Sequence, residues 1–144
     1  MSMPRPAQAS DAAELARLAA ELGYPADAGT MARRLAAMDD NPRQRAWVLE
    51  GEGRLRGWIT AERRLSLESG ERIEITGLVV DHTARRAGVG RVLVAAAEAW
   101  ANDQGIANLV VRSNVQREAS HPFYEALGYL RQKSQHVYQR ILAR

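Results

Sequence analysis

The stretch "GLVVDHTARRAGVGRVLVAAAEAWA", residues 77–101, decides how this 144-residue chain is read. A run of β-formers, Leu78 to Val80, breaks into a short polar segment and narrows onto Gly88 and Gly90. It restarts with apolar residues at helical spacing, Val89, Val92, Leu93, Ala96 and Trp100. A strand that leads through a loop into a helix leaves the first N–H groups of that helix without intrahelical partners, at the positive end of its macrodipole. Such a place receives anions. Glycines there let the backbone turn tightly and approach a phosphate with no Cβ in the way, and Arg85, Arg86 and Arg91 add positive charge.

Three kinds of phosphate loop compete for this segment. A Walker loop needs Gly-Lys-Ser/Thr after four intervening residues, which the segment lacks. A Rossmann fingerprint needs a third glycine where Leu93 stands, and an early strand before it. The third kind is a site for the pyrophosphate of coenzyme A.

Outward from this segment, the chain reads as alternating short elements. A short strand over residues 5–8 precedes a helix with Ser10 as its cap and Ala12, Leu15, Leu18 and Leu22 on one face, stopped at "LGYP". A second helix has Thr30 as its cap and Met31, Leu35 and Met38 as its apolar face, and ends before Pro42. "RAWVLE" and "LRGWITAERR", joined by "GEG", form a β-hairpin, and "RIEITGLVV" is the strand that follows. After the glycine segment and its helix come a strand in "GIANLVVRS", a short helix in "HPFYEALGY" closed by Gly128, and two strand pieces in "LRQKSQHVYQRIL". The order predicts one mixed α/β domain over residues 1–144, with a mostly antiparallel sheet of about six to seven strands flanked by about four helices.

Composition narrows the function. The chain has no cysteine, which removes disulfides, thiolate zinc sites and a thiol nucleophile. Its three histidines are scattered without HExxH spacing, so no metal site is expected, and no GxSxG elbow suggests a hydrolase. The net charge of +3 is carried almost wholly by arginine, with Lys133 the only lysine, and is dispersed without interleaved aromatics. No nucleic-acid partner is therefore expected. No apolar run is long enough to span a bilayer and "MSMPRPAQASD" has no signal-peptide core, which excludes a membrane partner and points to the cytosol.

"RRAGVG", Arg85 to Gly90, following "LVVD", resembles the Arg/Gln-x-x-Gly-x-Gly/Ala signature of the GNAT superfamily of N-acetyltransferases. "VRSN" on the next strand, the ending "FYEALGY" and the two-helix beginning are similar to that family as well, so the resemblance covers nearly the whole chain. It implies an acetyl-CoA-dependent N-acetyltransferase acting on a primary amine of a small molecule or peptide by direct attack in a ternary complex. The alternative is a CoA-binding sensor or interaction module without catalysis. The family is often dimeric, which leaves room for a homodimer.

Residue by residue, the resemblance implies that the pantetheine arm lies along Leu78, Val79 and Val80, where the strand splays from its neighbour. The pyrophosphate would sit on the segment from Arg85 and Arg86 through Ala87, Gly88, Val89 and Gly90 to Arg91. Asn114 matches a cofactor-contacting position. Tyr124 matches the tyrosine that protonates the leaving thiolate, a task within a phenol's reach and acidity. Glu74, counted back from the signature, matches a glutamate base; His121 and Glu118 are rival bases. Simple strand alternation would place Glu74, Thr76, Leu78 and Val80 on one face and Ile73, Ile75 and Val79 on the other.

Overall fold

A computed structural model describes residues 3–84, 87–112 and 120–143. The chain divides into two compact units, Met1–Arg112 and Ser113–Arg144. The first carries β1 (Arg5–Pro6), α1 (Ala12–Glu21), α2 (Ala28–Asp39), β2 (Gln44–Gly51), β3 (Arg54–Ser66), β4 (Gly70–Val80), α3 (Val89–Asp103) and β5 (Leu109–Val111). The second carries α4 (Ser120–Ala126). No helix among the described residues is long and apolar enough to cross a membrane.

The strands lie in sequence order, β1-β2-β3-β4-β5. Neighbours are antiparallel except β4 and β5, which run parallel. The β2–β3 connection is the expected glycine turn: Glu52 and Gly53 both have positive φ, the two-residue geometry whose twist suits a hairpin. Directly opposed residues share a face of the sheet, so the pairings Trp47–Ile59 and Val48–Trp58 sort the side chains into two layers. Val48, Leu55 and Val79 pack under Leu15 and Leu18 of α1 and Leu35 of α2, with Trp58 beside them. On the other face Trp47 meets Trp100 of α3 edge-on at 6.0 Å, and Arg45 stacks on the same Trp100 ring. Each large apolar side chain fully buried here contributes about 1.5–3 kcal/mol.

Gly57 sets how close α3 comes. A Cβ there would stand 2.8 Å from the carbonyl oxygen of Val79, 3.0 Å from Leu93 and 3.1 Å from Val89. The core face of α3 comprises Val89, Leu93, Val94, Ala97, Trp100 and Ala101, so it is rotated from the expected stripe: Val92 and Ala96 are only half-buried.

Both expected helix caps shift toward aspartate. Asp27, not Thr30, caps α2 by accepting the Thr30 N–H at 2.7 Å. At the start of α1 the polar work falls to Asp11, which takes the Gln8 N–H at 2.7 Å and both terminal nitrogens of Arg5 at 2.9 Å, rather than to Ser10. A carboxylate is the stronger acceptor for such donors.

The six to seven strands expected are five among the described residues. The difference lies at the C-terminus, where residues 129–143 form neither helix nor strand and Leu130, Val137, Tyr138, Ile141 and Leu142 are exposed.

At the end of β4, the Asp81 side chain has no exposed surface. Its Oδ1 accepts the Thr83 N–H at 2.9 Å and the Thr83 hydroxyl at 2.8 Å. Its Oδ2 meets Arg17 of α1 at 3.0 Å and Arg54 of β3 at 2.9 Å. Burial opposes the charged form, but these donors and cations outweigh it and hold the carboxyl far below the usual carboxylate range. Arg17 in turn holds Glu14 at 2.7 Å and Glu21 at 3.1 Å, and Glu14 accepts the Leu55 N–H at 3.0 Å. Glu21, Asp81 and His82 are close enough to surround a cation, but Asp81 already has its positive charge from two arginines.

Two stability tests follow from this packing. Gly57→Ala should lower the free energy of unfolding by about 2 kcal/mol, because its methyl meets a carbonyl oxygen that cannot move away cheaply; chemical denaturation measures it. Asp81→Asn should cost about 2 kcal/mol at neutral pH through lost charge-assisted hydrogen bonds. The folded Asp81 carboxyl titrates below its unfolded value of about 3.9, so its stabilisation is complete above that pH and fades as pH falls further. Denaturation should therefore separate wild type from Asp81→Asn most widely at pH 7, with the gap shrinking progressively as pH is lowered from about 4 toward the folded titration.

Candidate active site

The chemistry gathers along β4 and the segment after it. β3 and β4 pair in one register from Gly57–Val80 to Thr60–Gly77 and in another from Ala61–Ile75 to Ser66–Gly70, so Thr76 is an extra residue, a β-bulge. The bulge overturns the expected alternation. Glu74 opposes Glu62, and Val79 opposes Trp58, which places Glu74 and Val79 on the α1/α2 face. Leu78 and Val80, opposite Ile59 and Gly57, share the other face with Ile73 and Ile75. Thr76 donates its hydroxyl to Thr60 at 2.8 Å, and Gly77 lies so close to Trp58 that a Cβ would stand 2.9 Å from its ring.

The bulge also governs where the main chain points. The Asp81 N–H donates to the Arg56 carbonyl at 2.8 Å, so residues 79 and 77 likewise turn their N–H and C=O groups to β3. Leu78 and Val80 turn theirs the other way. On that side β5 pairs with β4 only at residues 73–75, and among the described residues no strand lies beside residues 76–80. Of the three expected pantetheine residues, Leu78 and Val80 thus offer backbone groups to an open edge, while Val79 gives its groups to β3 and its side chain to the core.

After Asp81, a 3-10 turn over His82–Ala84 leads toward the glycine segment. The His82 ring meets Glu21 through Nδ1 at 3.0 Å. Gly88 is the N-cap of α3 in the left-handed conformation, φ +81°, which glycine alone adopts without strain. The first intrahelical bond runs from the Val92 N–H to the Gly88 carbonyl at 3.1 Å. The N–H groups of Val89, Gly90 and Arg91 thus have no partner within the helix, and no side chain among the described residues caps them. Ala87 and Gly88 are exposed beside them. Arg85, Arg86, Asn114 and the rival base Glu118 lie outside the described residues.

Glu74 is 6% exposed. Around its carboxylate stand Arg64 at 3.4 Å, Arg72 at 3.4 Å and Arg112 at 3.6 Å. In the second unit, Tyr124 and His121 belong to α4, with Pro122 in the first turn, where the missing N–H costs nothing. The Tyr124 ring, half-buried, touches Phe123 and Tyr129 edge-on at 5.0 and 6.0 Å. Gly128, φ +93°, ends the helix, and the Tyr129 N–H returns to the Tyr124 carbonyl at 3.0 Å, fixing the backbone that carries the phenol.

Sequence reasoning did not single out Asp81 or the arginines around Glu74. The run "DHT" after an apolar strand was the available signal for Asp81, since an aspartate two residues before a threonine can bond its N–H. The arginines carried no signal, because the pairing that gathers residues 62, 64, 72 and 74 depends on the register.

Residues 12–129 match the profile of the Acetyltransferase (GNAT) family. An uncharacterized N-acetyltransferase of Bacillus subtilis (strain 168), YhdJ, is 30% identical over 118 residues, 81% of this chain and 83% of that protein. Among solved structures, the aminoglycoside antibiotic 6'-N-acetyltransferase AAC(6')-IG from Acinetobacter haemolyticus superposes with a TM-score of 0.84 at 15% identity, covering 99% of this chain and 100% of that one. AAC(6')-Iy, in complex with a bisubstrate analog, CoA-S-monomethyl-acetylneamine, gives 0.84 at 16% identity over 96% of this chain and 97% of that one. At such identities the two structures speak for the fold, whereas the profile and the Bacillus relative span most of the sequence itself. This chain belongs to the GNAT family, and is an acyltransferase with acetyl-CoA as its donor.

Proposed function

We propose that the whole chain, residues 1–144, works as one N-acetyltransferase domain that moves an acetyl group from acetyl-CoA to a primary amine by direct attack in a ternary complex, in the cytosol. The observation that carries this reading is the pairing of two backbone features on consecutive segments, the open β4 edge at Leu78 and Val80 and the uncapped, glycine-led start of α3. The family profile runs across both units, which supports treating them as one functional domain. The bisubstrate complex of AAC(6')-Iy supports coenzyme A as the group held.

The residues fit that group. The N–H groups of Gly88 to Arg91 suit a pyrophosphate, with Arg85 and Arg86 as added charge and Asn114 as a further contact. Leu78 and Val80 offer main-chain donors and acceptors to an amide-bearing arm lying along the strand, as an added β-strand would. Acetyl-CoA supplies an activated thioester. A fixed N–H at Leu78 or Val80 is directed where negative charge develops on a carbonyl oxygen, and it costs no reorganisation at the moment of reaction. Val79 helps only by holding the strand in place.

Glu74 stands four residues before Leu78, about 13 Å along the strand at 3.3 Å per residue. Its carboxylate therefore receives the amine's proton through water rather than by contact at the reacting atom. Tyr124 gives a proton to the departing thiolate. Attack is direct, because the chain has no cysteine to hold an acyl group.

Calorimetry with acetyl-CoA and thiol release against primary amines test this. Gly88→Trp should abolish detectable binding, since a side chain there strains the backbone and fills the approach to the α3 amides. Tyr124→Phe should bind acetyl-CoA as wild type does and lower kcat about 100-fold. Binding without turnover on any amine would favour a CoA-binding sensor, and absence of binding would refute the site.

A further inference from the structure

The bulge in β4 puts one exposed hydroxyl, that of Thr76, next to the residues whose main chain faces the open edge. It donates to the Thr60 hydroxyl at 2.8 Å, and Thr60 opposes Gly77 across the strands. The surroundings of Gly77 show how near this pair comes to the Gly77–Leu78 peptide. A Cβ on Gly77 would stand 3.0 Å from the Thr60 hydroxyl oxygen and 2.9 and 3.3 Å from two ring carbons of Trp58. A hydroxyl and an aromatic ring thus close on the α1/α2 side of the peptide that carries the Leu78 N–H. Thr76 and Leu78 are two positions apart, no more than about 7 Å along the strand.

Two further features give the pair a direction. On the opposite face α3 covers this end of β4: Gly57, paired with Val80, has Leu93 and Val89 at 3.0 and 3.1 Å from its Cβ position. An amine approaching a carbonyl held at the Leu78 N–H is left the α1/α2 face. The single proton of Thr76 is already committed to Thr60, so its oxygen presents only lone pairs to that approach. A fixed acceptor of this kind suits the N–H of an amine.

We propose that Thr76 positions the attacking amine. Its oxygen accepts one N–H and turns the nitrogen lone pair toward the thioester carbonyl, while Thr60 holds the hydroxyl in that orientation. The inference rests on the transferase reading above, with Leu78 as the donor to the carbonyl oxygen. The nitrogen bonds the acetyl carbon and loses its other N–H proton to water, and the thiolate of CoA leaves and takes up a proton. A primary amine has one N–H to be held and one to be lost. A secondary amine has a single N–H for both tasks, so the hydroxyl pair selects primary amines.

The experiment is steady-state thiol release with a primary amine and its N-methyl derivative, beside calorimetry with acetyl-CoA. Thr76→Val keeps the β-branch and loses the hydroxyl. It should bind acetyl-CoA as wild type does and lose about tenfold in kcat/KM for the primary amine, the effect of one hydrogen bond removed. The N-methyl amine should lose less, so the ratio between the two amines narrows. Thr76→Ser keeps the hydroxyl without the branch and should recover most of the loss. A merely structural role in the bulge would reverse the order, with the valine variant active and the serine variant impaired, and would lower both amines alike. Either result overturns the inference and leaves the transferase standing. Binding of acetyl-CoA by wild type without turnover on any amine would overturn both.

Discussion

The Asp81 carboxylate is the constraint on which the first unit is built. It is a buried charge at the junction of four segments: β4 ends at it, Arg54 reaches it from the start of β3, Arg17 reaches it from α1, and Thr83 begins the turn toward α3. A carboxylate without exposed surface is tolerable only if its lone pairs are filled, and here four donors fill them. Because the donors come from separate parts of the chain, α1 cannot shift along the sheet without unpairing it. The direction in which the chain leaves β4 toward the glycine segment is therefore fixed by electrostatics as much as by packing.

Features that depend on local chemistry were readable in the sequence. Periodicity located the helices, the glycine between "RAWVLE" and "LRGWITAERR" located the hairpin, and the two glycines after "LVVD" located the helix start with open amides. Features that depend on pairing were not. Nothing in "RIEITGLVV" announces that Thr76 is an extra residue, because a bulge is a relation between two strands; yet it reverses which side chains accompany Glu74 and which main-chain groups reach the edge. The C-terminal residues show the same limit: their apolar content suggests strands, but residues 129–143 form none. The caps were misplaced for a different reason: Ser10 and Thr30 are good capping residues, but Asp11 and Asp27 stood one and three residues away with a full charge to offer.

The bulge lets one strand serve two purposes that a regular strand could not combine. Below it, Ile73 and Ile75 turn their side chains to the α3 face and the Ile73 N–H bonds Asn108 on the β5 side, so Glu74 is fixed on the opposite face among arginines that its own strand and β3 supply. Above it the phase changes: Val79 ties the strand into the core and to β3, which frees the main chain of Leu78 and Val80 along the side that β5 leaves uncovered. Without the extra residue the phase would not change, and a strand with Ile73 and Ile75 in the core would turn Val79 toward α3 and Leu78 toward α1 and α2. A buried glutamate among arginines and an uncovered main-chain edge can occupy one β-strand because a single extra threonine separates their phases.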